Sequence, residues 1–329
     1  MGLTPKQRPN QDTPAAQAEA RELRKRAAVA VHQGKSAQAM ADADAVMAAH
    51  AQAGPAGEPY LTARFWRAIA LSQLGQHAAA AGEFGRLVED AVPVLGDKHV
   101  TVVLSRISRA GQLTCLARYD EAEAECRTAI KQSGKLKVWP HDVRDRYRMT
   151  ATSALVTALN GRGLPEQAES MARSAIRRAR GSLRLSAHHL IPVRIGLATS
   201  LISQHRYSEA RRVLEDLQPA HPHPWSNVSI QIQLAAAELG LGMLGEAEAR
   251  ARDAVTEAER LQGPAHFSAL RAGTLLGSAI ARQGRPDEAR HQLRANAEAW
   301  LEHFGEYHPR TVAAQEELAR IGQDTGAAD

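Results

Sequence analysis

A short pattern recurs along the whole chain and constrains the fold more than any other feature. Each copy has a small or helix-breaking residue, a two-residue turn, and an alanine five places after the first residue. The seven copies are Gly34 to Ala39, Gly75 to Ala80, Ala117 to Ala122, Gly163 to Ala168, His205 to Ala210, Gly242 to Ala247 and Gly284 to Ala289. Successive copies lie 41, 42, 46, 42, 37 and 42 residues apart. A period of this length is typical of repeat architectures.

Helical periodicity flanks the turn on both sides. In the third copy the apolar positions are Leu104, Ile107, Leu113 and Leu116 before the turn and Ala122, Cys126, Ala129 and Ile130 after it. Each unit is therefore predicted to be an antiparallel helix pair. One pair cannot bury its apolar faces alone, but stacked neighbours share a continuous core. Hydrophobic residues make up 44% of the sequence but aromatic residues only 4%, so alanine is expected to fill much of the core.

A second signature follows about 24 residues after the turn. It reads Gly96 to Thr101, Gly263 to His266 and Gly305 to Thr311, and His141 occupies the same offset. Glycine can end one helix, and proline or threonine can start the next. Together with the Gly-x-Tyr-x-Glu-Ala turn, this signature resembles the tetratricopeptide repeat in its longer, kinesin-light-chain-like form. The resemblance covers roughly residues 15–322. It implies an all-α fold: a right-handed α-solenoid of about seven helix–turn–helix units with a C-terminal capping helix.

The repeats predict a single domain, although 329 residues alone would suggest two. We expect a disordered lead over residues 1–13, a solenoid over 14–322 and a disordered tail over 323–329. The intervals of 46 and 37 residues predict local irregularity. No signal peptide or membrane span is indicated, and two cysteines fit a reducing compartment, so a cytoplasmic location is expected. High alanine and arginine usage suggests a GC-rich bacterial source.

No catalytic residue, metal ligand or cofactor site is expected. Gly34, Lys35 and Ser36 resemble the end of a phosphate-binding loop, but Val29 stands where that motif requires glycine. The sequence contains no nucleophile elbow and no His-Glu-x-x-His motif. Fourteen histidines occur, yet the periodic ones are expected to line up along one edge without converging.

The resemblance implies that the first helix of each pair lines a concave groove. The groove positions, counted back from each turn, are Thr62, Phe65, Ser72 and Gln73 in the second unit, Thr114 in the third, Thr150, Ser153, Thr157 and Asn160 in the fourth, Thr199 and Ser203 in the fifth, Ser229 in the sixth, and Arg271, Thr274, Ser278 and Arg282 in the seventh. Short hydroxyls and amides can bond an extended backbone, and the arginines can hold a carboxylate. The alternative is that serine and threonine are simply tolerated on an exposed helix face.

A row of arginines marks the second helix of the fourth unit. Arg173, Arg177, Arg180 and Arg184 lie at i, i+4, i+7 and i+11, which places them on one helix face. One interpretation is a solvated outer face, partly paired with Glu169. The other is a contact for an anionic partner. Nucleic acid is disfavoured because no aromatic residues are interleaved with the arginines.

The leading functional hypothesis is a non-catalytic scaffold or adaptor that binds a peptide segment or protein partner in its concave groove. The second is a ligand- or peptide-sensing regulatory protein that acts through a partner. The third is an enzyme built on the same scaffold, for example a biosynthetic tailoring activity, since fold does not settle function. The net charge of +5 suits an acidic partner. Homodimerisation through the terminal helices stays open.

Overall fold

The computed structural model describes residues 14–33, 35–50, 57–136, 142–180, 185–217 and 224–326. Within them the chain forms fifteen α-helices and no strand. The helices are α1 (Pro14–His32), α2 (Ser36–His50), α3 (Glu58–Gln73), α4 (His77–Leu95), α5 (Val100–Cys115), α6 (Tyr119–Ser133), α7 (Asp142–Gly161), α8 (Pro165–Arg180), α9 (Ala187–Ser203), α10 (Tyr207–Glu215), α11 (Pro224–Leu241), α12 (Leu244–Gln262), α13 (Phe267–Arg282), α14 (Pro286–Phe304) and α15 (Pro309–Gly326). The all-α solenoid predicted from the sequence is confirmed.

The helices form two layers. Each odd-numbered helix from α1 to α13 packs against the even-numbered helix that follows it and also against the next odd-numbered helix. The odd-numbered helices therefore make a continuous inner layer, and the even-numbered helices cover its outside. This arrangement matches the expectation that the first helix of each pair lines the concave surface. The capping helix α15 ends the array against α14 and α13.

The first residue of the repeated turn adopts a left-handed backbone conformation. The φ angle is 76° at Gly75, 74° at Gly163, 78° at Gly242 and 78° at Gly284. Two units place other residues at this position, and His205 has a φ of 58° where an L-residue carries a steric cost. The recurring small residue is thus explained by the backbone of the turn.

The second signature is a helix-to-helix linker with a defined role for its histidine. The imidazole Nδ1 accepts a hydrogen bond from the backbone N–H two residues later, at 3.2 Å for His99, 3.1 Å for His266 and 3.2 Å for His308. This is the N-cap interaction, which satisfies a backbone donor at the start of the helix. The preceding glycine has a φ of 86° at Gly263, while a Cβ there would meet no atom within 4 Å. The backbone angle alone therefore requires glycine.

The two irregular intervals between turns, of 46 and 37 residues, contain helices of unusual length. Helix α10 has 9 residues, the fewest of the fifteen described helices, and it belongs to the short interval. Helix α7 has 20 residues and lies within the long interval between Ala117 and Gly163. The predicted lead over residues 1–13 lies outside the described residues. Helix α15 continues to Gly326, past residue 322 where the solenoid was expected to end, and residues 327–329 are not described.

Alanine and aliphatic side chains fill the space between the layers. The largest cluster of buried residues spans α4 to α11 and includes Ala122, Cys126, Ala168 and Ala210 from the repeated motif. Small side chains allow close approach between units, as at Gly161, where an added Cβ would overlap the ring of Tyr119. The same contact recurs two units later. The turn tyrosine therefore packs over a glycine of the next inner helix.

Candidate functional site

The curved solenoid closes on itself. The imidazole Nε2 of His308 lies 3.0 Å from the carbonyl oxygen of Cys115, although 193 residues separate them. Because His308 Nδ1 accepts the backbone bond of its cap, Nε2 carries the proton and donates to this carbonyl. The ring of His77 lies 5.2 Å from that of His266 and 5.7 Å from that of Phe304, measured between centroids. We call the contact of His77 and Cys115 with His266, Phe304 and His308 the seam.

The seam corrects one expectation about the histidines. His266 and His308 were expected to lie along one edge without converging, but both meet at the seam with His77. The reason is that the array curves until its linkers reach the turns of earlier units. Burial lowers the pKa of all three imidazoles, that of His266 to about 3. Among the described residues no group of three His, Cys, Asp or Glu is placed to hold a metal ion.

Closure turns the concave groove into a cavity of about 400 Å³. Its described lining consists of Thr114, Tyr119, Ser153, Thr157, Asn160, Gly161, Pro192, Ile195, Gly196, Thr199, Ser203, Trp225, Ser226, Ser229, Gln233, Phe267, Arg271 and Arg310. A second cavity of about 210 Å³ shares Thr199, Ser203, Gln233 and both arginines with the first. The two cavities therefore form one continuous site inside the ring.

Most of the sequence-predicted groove residues meet in this site. Thr114, Ser153, Thr157, Asn160, Thr199, Ser203, Ser229 and Arg271 line the first cavity, and Thr274 lines the second. Thr62 and Phe65 border a separate space of about 100 Å³ near α3 and α5. Thr150, Ser72, Gln73, Ser278 and Arg282 line neither of the two cavities of the ring. The guanidinium of Arg282 instead donates to the carbonyl oxygen of Leu239 at 2.6 Å.

The threonine hydroxyls are oriented by their own helices. Thr114 donates to the carbonyl oxygen of Ala110 at 2.9 Å. Thr157 and Thr199 make the same bond with the residue four places earlier, each at 3.1 Å. Their protons are thus used within the helix, and their oxygen lone pairs remain as acceptors.

Two amide side chains in the wall differ in their roles. Asn160 Nδ2 donates to the carbonyl oxygen of Gly196 at 3.0 Å, and Ser200 Oγ lies 2.9 Å from Asn160 Oδ1. Asn160 therefore ties α7 to α9 in addition to facing the cavity. Gln233 is only 5% exposed, lines both cavities, and makes no hydrogen bond with the described part of the chain. Unlike the amide of Asn160, the buried amide of Gln233 is therefore free to bond a ligand.

Arg271 and Arg310 are the charged residues of the described lining. Arg271 lies over the ring of Phe267, with 5.9 Å between the guanidinium carbon and the ring centroid. Burial, together with the charge of Arg310, lowers the pKa of Arg271 to about 9. Arg310 lines both cavities and is exposed overall, yet the protein atoms around its guanidinium group lower its pKa by desolvation. The phenol of Tyr119 lies close to both, and burial raises its pKa.

The outer arginines of α8 are placed differently. Arg173 Nε lies 2.7 Å from a carboxylate oxygen of Glu169, which also contacts Arg206 of the next unit at 2.7 Å. Arg173 thus belongs to an ion-pair network between units. Arg177 is exposed on the outer layer, and the side chain of Arg180 and all of Arg184 lie outside the described residues. An anionic contact at this face stays a prediction.

Sequence reasoning missed more than half of the residues that line the first cavity, among them Gln233 and Phe267 of the inner helices. Tyr119 was counted as a turn residue, and Arg310 as part of a linker. Trp225 follows an irregular linker that obscured its register. The periodic pattern of the inner helices located wall residues such as Ser153 and Thr199, but only closure of the ring brings the turn and the last linker into the cavity.

Comparison with solved structures supports the fold. No protein-family model matches the sequence, and no curated protein matches it. A tetratricopeptide repeat protein from Parabacteroides merdae ATCC 43184 is 15% identical with a TM-score of 0.53, covering 92% of this chain and 99% of that one. A Rap protein complexed with Competence and Sporulation Factor is 13% identical with a TM-score of 0.64, covering 98% and 90%. The quorum sensor NprR from B. thuringiensis is 12% identical with a TM-score of 0.52, covering 93% and 80%.

These likenesses concern the fold alone, since every identity is low. They confirm the resemblance drawn from the repeated motif: the chain has the tetratricopeptide-repeat fold. In the described part of the chain, no helix has the length and apolar character needed to cross a bilayer.

Proposed function

We propose that this chain is a non-catalytic scaffold that binds an extended peptide segment of a partner inside its closed ring. The observation that carries the proposal is the continuous cavity lined mainly by the odd-numbered helices from α5 to α15. Its main part, about 400 Å³, falls in the size range of pockets for small ligands, roughly 300–1,000 Å³. A folded partner cannot enter such a space, whereas a few residues of extended chain can.

The chemistry of the wall supports binding rather than catalysis. None of the described residues that line the two cavities is Asp, Glu, His, Lys or Cys. A general base or nucleophile with a pKa near neutrality is usually one of these residues. The wall instead offers hydroxyls, amides, four aromatic side chains and two guanidinium groups. Such groups can hold a backbone and a terminal charge.

The seam favours peptide sensing as a second candidate. Two proteins with this fold were solved with a bound partner: the Rap protein with Competence and Sporulation Factor, and NprR with its cognate peptide NprX. In the present chain the cavity is closed by contacts between distant units. Entry or release of a ligand would then be coupled to opening of the ring. We place this activity in the cytoplasm, as the sequence predicts.

A cavity-filling substitution tests the proposal. Ser203→Trp would occupy the space shared by both cavities, while Ser208→Trp puts the same side chain on the exposed outer layer of the same unit. Both variants and wild type are used to capture peptides and proteins from a lysate of the source organism, and retained species are identified by mass spectrometry. Wild type and Ser208→Trp should retain the same species, and Ser203→Trp should lose them.

Equal retention by all three proteins would refute the closed cavity as the binding site. Melting curves show whether each variant is folded. For the sensing candidate, small-angle scattering is recorded with and without the retained peptide. An unchanged radius of gyration would count against coupling between binding and ring opening.

A further inference from the structure

The cavity contains two cations without an acidic partner. No carboxylate of the described residues lies within ion-pair distance of Arg271 or Arg310, and none lines the cavity they share. Elsewhere in the described part of the chain, arginines with little exposed surface are paired with carboxylates, as at Arg64 with Glu83 and Arg250 with Glu238. The site inside the ring differs in that two arginines without a carboxylate partner line the same cavity.

Holding these two positive charges near each other costs stability. Arg271 has lost much of its hydration, and the like charge of Arg310 adds repulsion, which is reflected in its lowered pKa. Its cation–π contact with Phe267 offsets only part of this cost. Buried charges in proteins are normally paired or bind a ligand of opposite sign. An anion bound between the two guanidinium groups would offset both the lost hydration and the charge repulsion.

The remaining wall restricts what carries this anion. The hydroxyl protons of Thr114, Thr157 and Thr199 are donated to helix carbonyls, so their oxygens can only accept. Acceptors of this kind match the N–H groups of a peptide backbone, while the hydroxyls of Ser203 and Ser229 and the indole N–H of Trp225 can donate to its carbonyl groups. The buried amide of Gln233 can serve both a backbone N–H and a carbonyl. The cavity thus has an anion-binding end and an amide-binding wall.

We propose that Arg271 and Arg310, with the phenol of Tyr119, bind the free C-terminal carboxylate of the peptide. Tyr119 belongs to the third unit, and the arginines belong to α13 and α15, so the carboxylate joins groups from both sides of the seam. This inference rests on the proposed function, because the rest of the peptide lies along the threonines. Guanidinium groups bind carboxylates through paired, charge-assisted hydrogen bonds.

A random hexapeptide library tests the assignment. Half of its members carry a free C-terminal carboxyl and half carry an amide, and species that co-elute with the protein in gel filtration are counted by mass spectrometry. Wild type should enrich the free acids over the amides by at least about tenfold, the scale expected for a charge-assisted bond. Arg271→Met with Arg310→Met should bring that ratio to about one, the input ratio expected once the charges are gone.

Controls separate a ligand role from a structural one. Arg294→Met removes an exposed arginine of α14 and should leave the tenfold enrichment in place. The double variant should melt at a higher temperature than wild type in the absence of peptide, because the repulsion is gone; a structural role would give a lower one. Both expectations follow from the unpaired state of the two charges.

Three outcomes would overturn the proposal, and each has a different meaning. Retention of acids and amides in equal amounts by wild type would refute the carboxylate site while leaving peptide binding intact. Retention of no peptide at all would refute the proposed function as well. Stabilisation of wild type by inorganic phosphate, beyond sodium chloride of equal ionic strength and without acid enrichment, would assign the arginines to phosphate groups instead.

Discussion

Acidification should destabilise the ring through His266. This imidazole is 7% exposed, caps α13 through a 3.1 Å bond from the backbone N–H of Ser268, and packs against His77. Burial, aided by the neighbouring His77, lowers its pKa to about 3 from the ordinary value of 6.5. Protonation would also remove the lone pair that makes the cap.

The size of the effect follows from these two pKa values. Between them the unfolded chain binds more protons than the folded one, so stability falls as the pH drops below about 6.5 and levels off below about 3. A pH of about 5 lies about 1.5 units below the ordinary histidine pKa of 6.5. At about 1.36 kcal/mol for each unit, the free energy of unfolding is lowered by about 2 kcal/mol. Burial lowers the pKa values of His77 and His308 as well, so each adds to the loss in the same direction.

His266→Asn isolates the contribution of this residue. Asparagine caps a helix as well as histidine does here but does not titrate. The free energy of unfolding is measured by urea denaturation at about pH 7.5 and about pH 5 for wild type and variant, and wild type should lose about 2 kcal/mol more. Carboxylates contribute equally to both proteins. If the two proteins lost the same free energy, His266 would not be the buried neutral group described here.

Further substitutions probe the glycine–tyrosine contacts between units and one buried ion pair. Gly161→Ala and Gly240→Ala each displace the ring of a turn tyrosine and should lower the free energy of unfolding in urea by about 1–3 kcal/mol. Only Gly161→Ala should also weaken peptide retention, because Gly161 lines the cavity and Gly240 does not. Equal retention by the two variants would contradict this. Arg250→Met leaves the carboxylate of Glu238, which has no exposed side-chain surface, without its 2.7 Å partner and should cost about 3 kcal/mol. Adding Glu238→Gln should recover most of that loss, and no recovery would contradict the ion-pair argument.

The local features of the fold could be predicted from the sequence. The small residue at the start of the turn indicated a backbone position, and Gly75 and Gly163 occupy the left-handed region there. The helix pair, the inner layer and the wall residues such as Ser153 and Thr199 follow from a periodicity read over a few turns of helix. These features depend on neighbours in the chain, which is why a single sequence contains them.

Closure of the ring could not be predicted in the same way. It depends on the sum of small rotations between successive units, and no residue encodes that sum. The roles of Tyr119 and Arg310 in the cavity depend on it, so the sequence placed them in a turn and a linker. The role of His308 as a cap follows from its linker, whereas its bond to Cys115 does not.

The seam also limits how this chain can vary in length. An open array of repeats tolerates the gain or loss of a unit, because each unit contacts only its neighbours. Here an inserted helix pair would carry His308 away from Cys115 and leave both faces of the seam in water. The number of units between Cys115 and His308 is therefore set by the circumference that the ring must complete, as in a barrel or a propeller, and not by the addition of independent modules.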